Sequence, residues 1–177
     1  MAMIVHHAVS LDGYSADAGG LPAILEAPGF DHGRSSHGVP EFMAGCDAVV
    51  MGRTTFEPAV TNPWWPWPNL DVLVLTSRPL PDKVFPTRVT AHASPTDVVE
   101  ELQRRGYSKN VEVLGGPSTI GALLDLGAVD QLHILVVPTM LGAGKPFAWS
   151  GRKTPLRLDS HTAHDGGTIT LNYTVGR

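Results

Sequence analysis

The sequence predicts an α/β domain with a mainly parallel central sheet, helices on both faces and an antiparallel hairpin at the C-terminal end. Between Met3 and Val137 short apolar runs alternate with helical patterns, the order that a parallel sheet needs for its crossovers. Near the C-terminus, "LRLDSHTAH" and "TITLNYTVG" alternate in polarity on either side of Asp165-Gly166-Gly167, a hairpin turn signal. Neither an internal repeat nor a linker divides residues 1–177, so one domain is expected.

Each element has its own signal. Met3 to Val9 is an apolar run ending in "SLDG", a strand followed by a turn at Gly13. Ser15 to Pro40 is rich in Gly, Pro, Ala, Asp and His and lacks periodicity, which reads as a long substrate-side loop. A helical turn at Glu41 to Gly45 precedes the strand Ala48 to Met51 and a helix over Thr54 to Ala59, with Thr54 and Glu57 spaced as a capping box. Val72 to Thr76 is a buried strand and Arg88 to Ala91 a weaker one. In "SPTDVVEELQRRG", Ser94 is the N-cap, Pro95 the first helical residue and Asp97 the N3 carboxylate. Val98, Val99 and Leu102 form the inward face and Gly106 the stop. "VEVLGGPSTIGALLDLG" repeats the plan: a strand through Leu114, a helix opened by Pro117 with Ile120, Leu123 and Leu124 inward, and Gly127 closing it. The strand Gln131 to Val137 follows.

Composition narrows the function. The 177 residues are 42% hydrophobic and 17% charged, ordinary for a soluble globular chain, and the formal charge of -4 offers no basic stripe for nucleic acid or for an anionic membrane surface. The start lacks the basic and apolar regions of a secretory leader, and no run approaches the ~20 apolar residues of a membrane span. The single cysteine, Cys46, excludes an internal disulfide and a cysteine-cluster zinc site; it lies in the apolar run "CDAVVM" as a buried thiol, and a cytoplasmic setting fits. No metal site is expected: H-E-x-x-H is missing, and His6-His7 on a strand point to opposite faces, as do His161 and His164.

Three strand ends share one chemistry. "DAVVM" runs into Gly52-Arg53-Thr54-Thr55, "VLVL" into Thr76-Ser77-Arg78, and "VEVL" into Gly115-Gly116-Pro117-Ser118-Thr119. In a parallel sheet these ends face one edge, where open α/β folds bind ligands; helix N-termini with glycines, plus two arginines, suit phosphates. Neither G-x-G-x-x-G nor the G-x-x-x-x-G-K-[ST] loop is present, and each motif alone reads equally as a capped helix or a tight turn.

Taken in order, "AVSLDGY", "DAVVMGRTTFE", "VLTSRPLP", "VEVLGGPSTIGALL" and "VDQLHILVVPTMLGAGKPF" resemble the dihydrofolate reductase superfamily. Within it they look most like the branch containing the reductase domain of riboflavin biosynthesis and its stand-alone relatives, the RibD C-terminal-like group. The likeness runs from about Met3 to about Phe147. It implies a dihydrofolate reductase-like three-layer fold and NADPH as cofactor. Gly52, Arg53, Thr54 and Thr55 would hold the pyrophosphate, with Gly115, Gly116, Ser118 and Thr119 closing from the other side. Thr76, Ser77 and Arg78, a segment with no carboxylate, would take the adenosine-ribose phosphate, and Ala8 and Val9 would lie against the nicotinamide.

The substrate side carries paired readings. Asp12 matches the acidic residue of the "S-x-D-G" element near the nicotinamide, or else stabilises an Asx-type turn. Glu41 falls in the region of the carboxylate that assists pterin protonation in dihydrofolate reductases, or else is an exposed helix-start glutamate. Trp64 and Trp65, in "NPWWPWPN", wall a flat ring or pack a rigid loop. The zinc-deaminase signature of bifunctional riboflavin enzymes is absent, which excludes that activity. The resemblance thus implies a hydride-transferring reductase acting on a small heterocyclic or imine or carbonyl substrate, most specifically 5-amino-6-(5-phosphoribosylamino)uracil, and a homodimer. The alternatives are dihydrofolate reductase proper and an NADP-binding or dimerisation module without turnover.

Overall fold

A computed structural model describes residues 1–30, 37–148 and 150–176. The strands are β1 (Met3–Ser10), β2 (Tyr14–Asp17), β3 (Cys46–Gly52), β4 (Asp71–Leu75), β5 (Val89–His92), β6 (Asn110–Gly115), β7 (Gln131–Val137), β8 (Gly144–Pro146), β9 (Leu156–Ala163) and β10 (Ile169–Val175). The α-helices are α1 (Val39–Ala44), α2 (Arg53–Val60), α3 (Pro95–Arg105) and α4 (Pro117–Asp125). One eight-stranded sheet has the order β5-β4-β3-β6-β1-β7-β10-β9. Its pairs are parallel from β5 through β7, and β10 and β9 extend it antiparallel, as the hairpin pattern predicts.

The central strands are apolar along their whole length because both faces are covered. Ala48 and Val50 of β3 pack with Leu73, Val111 and Val113 under α3 and α4, through Val98, Leu102, Ile120 and Leu123. Their neighbours Val49 and Met51 face the other way, joining Val72, Val74, Phe56 and Ala59 with Phe42 and Met43 of α1. Period-2 alternation therefore splits one apolar run between two cores. Each large side chain so buried contributes roughly 1.5–3 kcal/mol.

The helix signals are realised most fully in α3. Ser94 Oγ accepts the Asp97 N–H, the Asp97 side chain accepts the Ser94 N–H, and Gly106 ends the helix at φ 61°.

The stretch Ser15 to Pro40, expected as a loop, is only partly one. Tyr14–Asp17 pairs with Gly144–Pro146 in a separate two-stranded sheet, Ala23–Glu26 forms a 3-10 turn, and α1 begins at Val39; the part over residues 31–36 lies outside the described residues. The small sheet depends on close approach, since a Cβ on Gly144 would collide with the Ala16 carbonyl oxygen. Ser15 Oγ donates across the same junction to the Pro146 carbonyl at 3.1 Å. Among the described residues no helix is long and apolar enough to cross a membrane.

Candidate cofactor site at the strand ends

β3 and β6 are neighbours, so the glycine corners that follow them meet. A Cβ on Gly52 would lie 2.6 Å from Thr119 Oγ1 and 3.9 Å from both Gly115 O and Gly116 N. A Cβ on Gly116 would find Thr55 Oγ1 at 3.6 Å. The peptide bond between Gly115 and Gly116 is cis. α2 starts after Gly52 and α4 after Gly116, and neither N-terminus has a side-chain cap, in contrast to α3. Two adjacent helix starts thus present backbone donors and positive dipole ends at the carboxyl edge of the sheet, lined by Thr54, Thr55, Ser118 and Thr119. Thr119 is buried, while Thr54 and Ser118 are exposed.

The predicted Thr54–Glu57 capping box does not form. α2 begins one residue before Thr54, which places that hydroxyl inside the first turn. The Glu57 carboxylate turns instead to Arg53, whose Nε donates to Oε1 at 2.7 Å. Arg53 also donates from Nη1 to the Pro79 carbonyl at 2.7 Å and the Arg78 carbonyl at 3.3 Å, tying the segment after β4 to α2. Thr76 folds that segment into a turn, its Oγ1 accepting the Arg78 N–H at 3.2 Å. Ser77 is exposed beside it. Arg78 points outward with its side chain 67% exposed, and Nη2 stands 3.8 Å from the same Glu57 oxygen. The segment itself carries no carboxylate, but the fold brings one from α2 between the two guanidiniums. Sequence spacing held one clue, since Arg53 and Glu57 stand at i and i+4.

β1 ends at the same edge, between β6 and β7. Val9 and Ser10 are buried and Ala8 is half-buried. Ser10 Oγ donates to Asp12 Oδ1 at 2.6 Å, and the backbone N–H groups of Leu141 and Gly142 donate to the same carboxylate at 3.1 and 2.7 Å. The Ser10 hydroxyl first, and then these backbone donors, hold the Asp12 carboxyl below the usual range. At neutral pH it is an anion with no proton to give. It fastens the loop after β7 to the turn after β1, a long-range tie in place of the Asx-type turn expected from the sequence.

The other three sequence candidates, Glu41, Trp64 and Trp65, take no part in these contacts. Glu41 is exposed while its neighbours Phe42 and Met43 pack towards the sheet, so it corresponds to a helix-start glutamate on the solvent side. Trp64 is 57% exposed. Trp65 packs edge-on against Phe56 and Trp67 and tilted on Phe85, with Nε1 donating to Thr87 Oγ1 at 2.9 Å, contacts that fix the loop on the core. Among the described residues no cluster of three metal-ligating side chains occurs.

Sequence reading missed one pair on the α1 side of the sheet. His6 Nδ1 of β1 stands 3.6 Å from Glu112 Oε1 of β6, with side chains 14% and 2% exposed. A lone carboxylate in the central strand "VEVL" was the available signal, since the parity of that strand turns it into the interior.

A parallel α/β sheet with facing, glycine-lined helix starts at its carboxyl edge belongs to the class of fold that binds nucleotides there. The chain belongs to the RibD C-terminal domain family, which matches residues 2–170. A Shewanella sp. PV-4 protein named for riboflavin biosynthesis is 24% identical, with all of each chain covered and a TM-score of 0.83. A Thermotoga maritima diaminohydroxyphosphoribosylaminopyrimidine deaminase/5-amino-6-(5-phosphoribosylamino)uracil reductase is 18% identical (TM-score 0.75), over 98% of this chain and 56% of that one. A dihydrofolate reductase from Enterococcus faecalis complexed with NADP(H) is also 18% identical (TM-score 0.62), over 99% of this chain and 97% of that one. The fold is therefore dihydrofolate reductase-like, as the motif order implies.

Proposed function

We propose that this protein is an NADPH-dependent reductase that transfers a hydride to a small heterocyclic or C=N or C=O substrate. The most specific assignment is 5-amino-6-(5-phosphoribosylamino)uracil, reduced at C1 of its open-chain ribosylamino imine. The observation that carries the reading is the contact between the two uncapped helix starts at Gly52 and Gly116, a cradle of backbone donors that a Cβ would fill. Family membership supports the reductase class.

The residues fit the cofactor. Gly52, Thr54 and Thr55 with Gly115, Gly116, Ser118 and Thr119 would hold the pyrophosphate, while Arg53 keeps the neighbouring segment in place. Thr76, Ser77 and exposed Arg78 would face the 2′-phosphate, and Ala8 and Val9 would floor the nicotinamide. NADPH, when bound, supplies a hydride with its electron pair. Asp12 contributes by fixing the loop that borders the floor. A folate role has less support, because Glu41 is exposed on the outer side of α1. A cytoplasmic homodimer belongs to the same proposal.

The test is NADPH oxidation, followed by nicotinamide absorbance, with 5-amino-6-(5-phosphoribosylamino)uracil and a panel of pyrimidines, pterins and quinones. Oxidation with the ribosylamino pyrimidine supports the specific assignment, and oxidation with another compound only the class. NADPH binding with no oxidation across the panel would favour a module without turnover.

A further inference from the structure

We propose that His7 is a cofactor-binding residue, its Nε2 accepting a hydrogen bond from an N–H or O–H group of the nicotinamide-ribose half of NADPH. This rests on the reductase reading, and it gives that site a side chain outside the motifs that carry the family resemblance.

The two central strands part just below the cofactor edge. β1 pairs with β6 only through Val5 and Val113; beyond them β1 stays with β7 as far as Ser10, and β6 stays with β3 as far as Gly115. His7 stands in the mouth of the gap that opens between them. Its Nδ1 bonds the Leu114 carbonyl at 3.0 Å, and its Cε1 lies 3.3 Å from the point that a Cβ on Gly115 would occupy. The imidazole therefore touches a residue of the cradle itself. α4 packs in the core that contains Val5 of β1 and α2 in the core on the other face, so the cradle between their first turns straddles the edge of the sheet. His7 and Ala8 are successive residues of β1 and point to opposite faces. A ligand that reaches from the helix starts to Ala8 crosses the mouth of the gap, where the imidazole is.

The chemistry of the ring says what it can do there. A carbonyl only accepts, so Nδ1 carries the hydrogen and Nε2 keeps a lone pair. Burial lowers the pKa of His7 to about 4, against the opposing effect of the Leu114 carbonyl, so the ring is neutral at pH 7. Nε2 is buried and has no hydrogen-bond partner among the described residues. An acceptor that has given up water without gaining a donor is unfavourable, and a ligand that supplies the donor recovers the loss. The Phe147 ring, at a centroid distance of 5.8 Å, and the Ile120 side chain beside Gly115 are apolar and supply none. The phosphates of NADPH carry only acceptors at neutral pH. Its adenosine end is assigned to the segment after β4, two strands beyond β6, so the matching donor is the carboxamide amino group or a ribose hydroxyl of the nicotinamide half.

The experiment reads the nitrogen directly. Nitrogen-15 NMR follows His7 in the wild type alone, with NADPH, and with adenosine 2′,5′-bisphosphate, a fragment that lacks the nicotinamide riboside. NADPH should move the Nε2 resonance upfield from its free lone-pair position, and the fragment should leave it in place. His7→Asn keeps an N–H for Leu114, while its remaining atoms stop short of the Nε2 position. In tryptophan-fluorescence titrations this variant should bind NADPH roughly 3- to 10-fold more weakly and the fragment equally well. The 3-acetylpyridine analogue of the cofactor, which has no carboxamide N–H, identifies the donor. Equal binding of it by wild type and variant assigns the carboxamide, and the same loss in the variant assigns a ribose hydroxyl. An Nε2 resonance that NADPH leaves unmoved, or equal NADPH affinity in the two proteins, overturns the proposal while the reductase reading stands. Equal losses for NADPH and the fragment overturn it as well, by making His7 a support of the corner alone. A folded wild type that binds no NADPH removes the reductase reading and the proposal with it.

Discussion

Thr119 Oγ1 stands 2.6 Å from the point that a Cβ on Gly52 would occupy. β3 and β6 are paired, so this contact sets the separation between the starts of α2 and α4. Thr119 is buried and β-branched, and its hydroxyl cannot swing aside freely. Gly52→Ala should cost about 1–3 kcal/mol of stability through overpacking. Adding Thr119→Ala should recover much of that loss, which a double-mutant cycle by chemical denaturation would show as coupling. Strictly additive losses would mean that the corners do not bear on each other.

Glu57 lies between Arg53 and Arg78 and competes with any anion for Arg78. One charge-assisted contact should favour NADPH over NADH by at least about tenfold, and Glu57→Gln should raise that preference by tightening NADPH binding and leaving NADH binding unchanged. Arg78→Ala should lose most of that preference by weakening NADPH alone. Because Arg78 is mostly exposed, added salt should shrink the difference. Titration of both cofactors against tryptophan fluorescence measures all of this, and an Arg78→Ala protein that still prefers NADPH would place the 2′-phosphate elsewhere.

His7 is buried on the opposite face from His6, with Nδ1 donating to the Leu114 carbonyl at 3.0 Å. Burial holds its pKa down at about 4, against 6.5 for a free imidazole. Above pH 6.5 both folded and unfolded chains carry it neutral. As pH falls from 6.5 to 4 the unfolded chain takes up the proton and the folded chain does not, so stability declines across that window and levels off below it. His7 alone accounts for about 3 kcal/mol of the decline. His7→Asn, which keeps a side-chain N–H donor, should show a flatter stability profile between pH 4 and 6.5. Parallel profiles for the two proteins would contradict the buried neutral state.

Local signals were legible where one segment determines its own structure. The Ser94–Asp97 box, Pro117 as the first residue of α4 and the two C-terminal strands all lie where their spacing puts them. The three strand ends could be assigned to one edge because a parallel sheet leaves no other arrangement. What the sequence concealed depends on partners distant in the chain. β2 and β8 are four and three residues long, too short for a periodic signal, and are held by pairing across more than a hundred residues. Thr54 and Glu57 match a capping box in spacing, but the helix starts one residue too early to use it. Glu112 reads as one polar residue in an apolar strand, and its meaning appears only when His6 of β1 is set beside it.

The central claim is that NADPH binds between the starts of α2 and α4, and Gly116 separates that claim from a merely structural role. Its φ of -83° suits any residue, and the nearest atom to an added Cβ, Thr55 Oγ1, lies at an ordinary 3.6 Å. The fold thus tolerates a Cβ at a point where the gap between the helix starts does not stay open. The decisive measurement is NADPH titration of wild type and Gly116→Val, each checked for folding by circular dichroism. The account predicts saturable binding by wild type and none detectable by the folded variant. Equal binding by both would show that the diglycine is only a turn and that the phosphates, if bound, lie elsewhere.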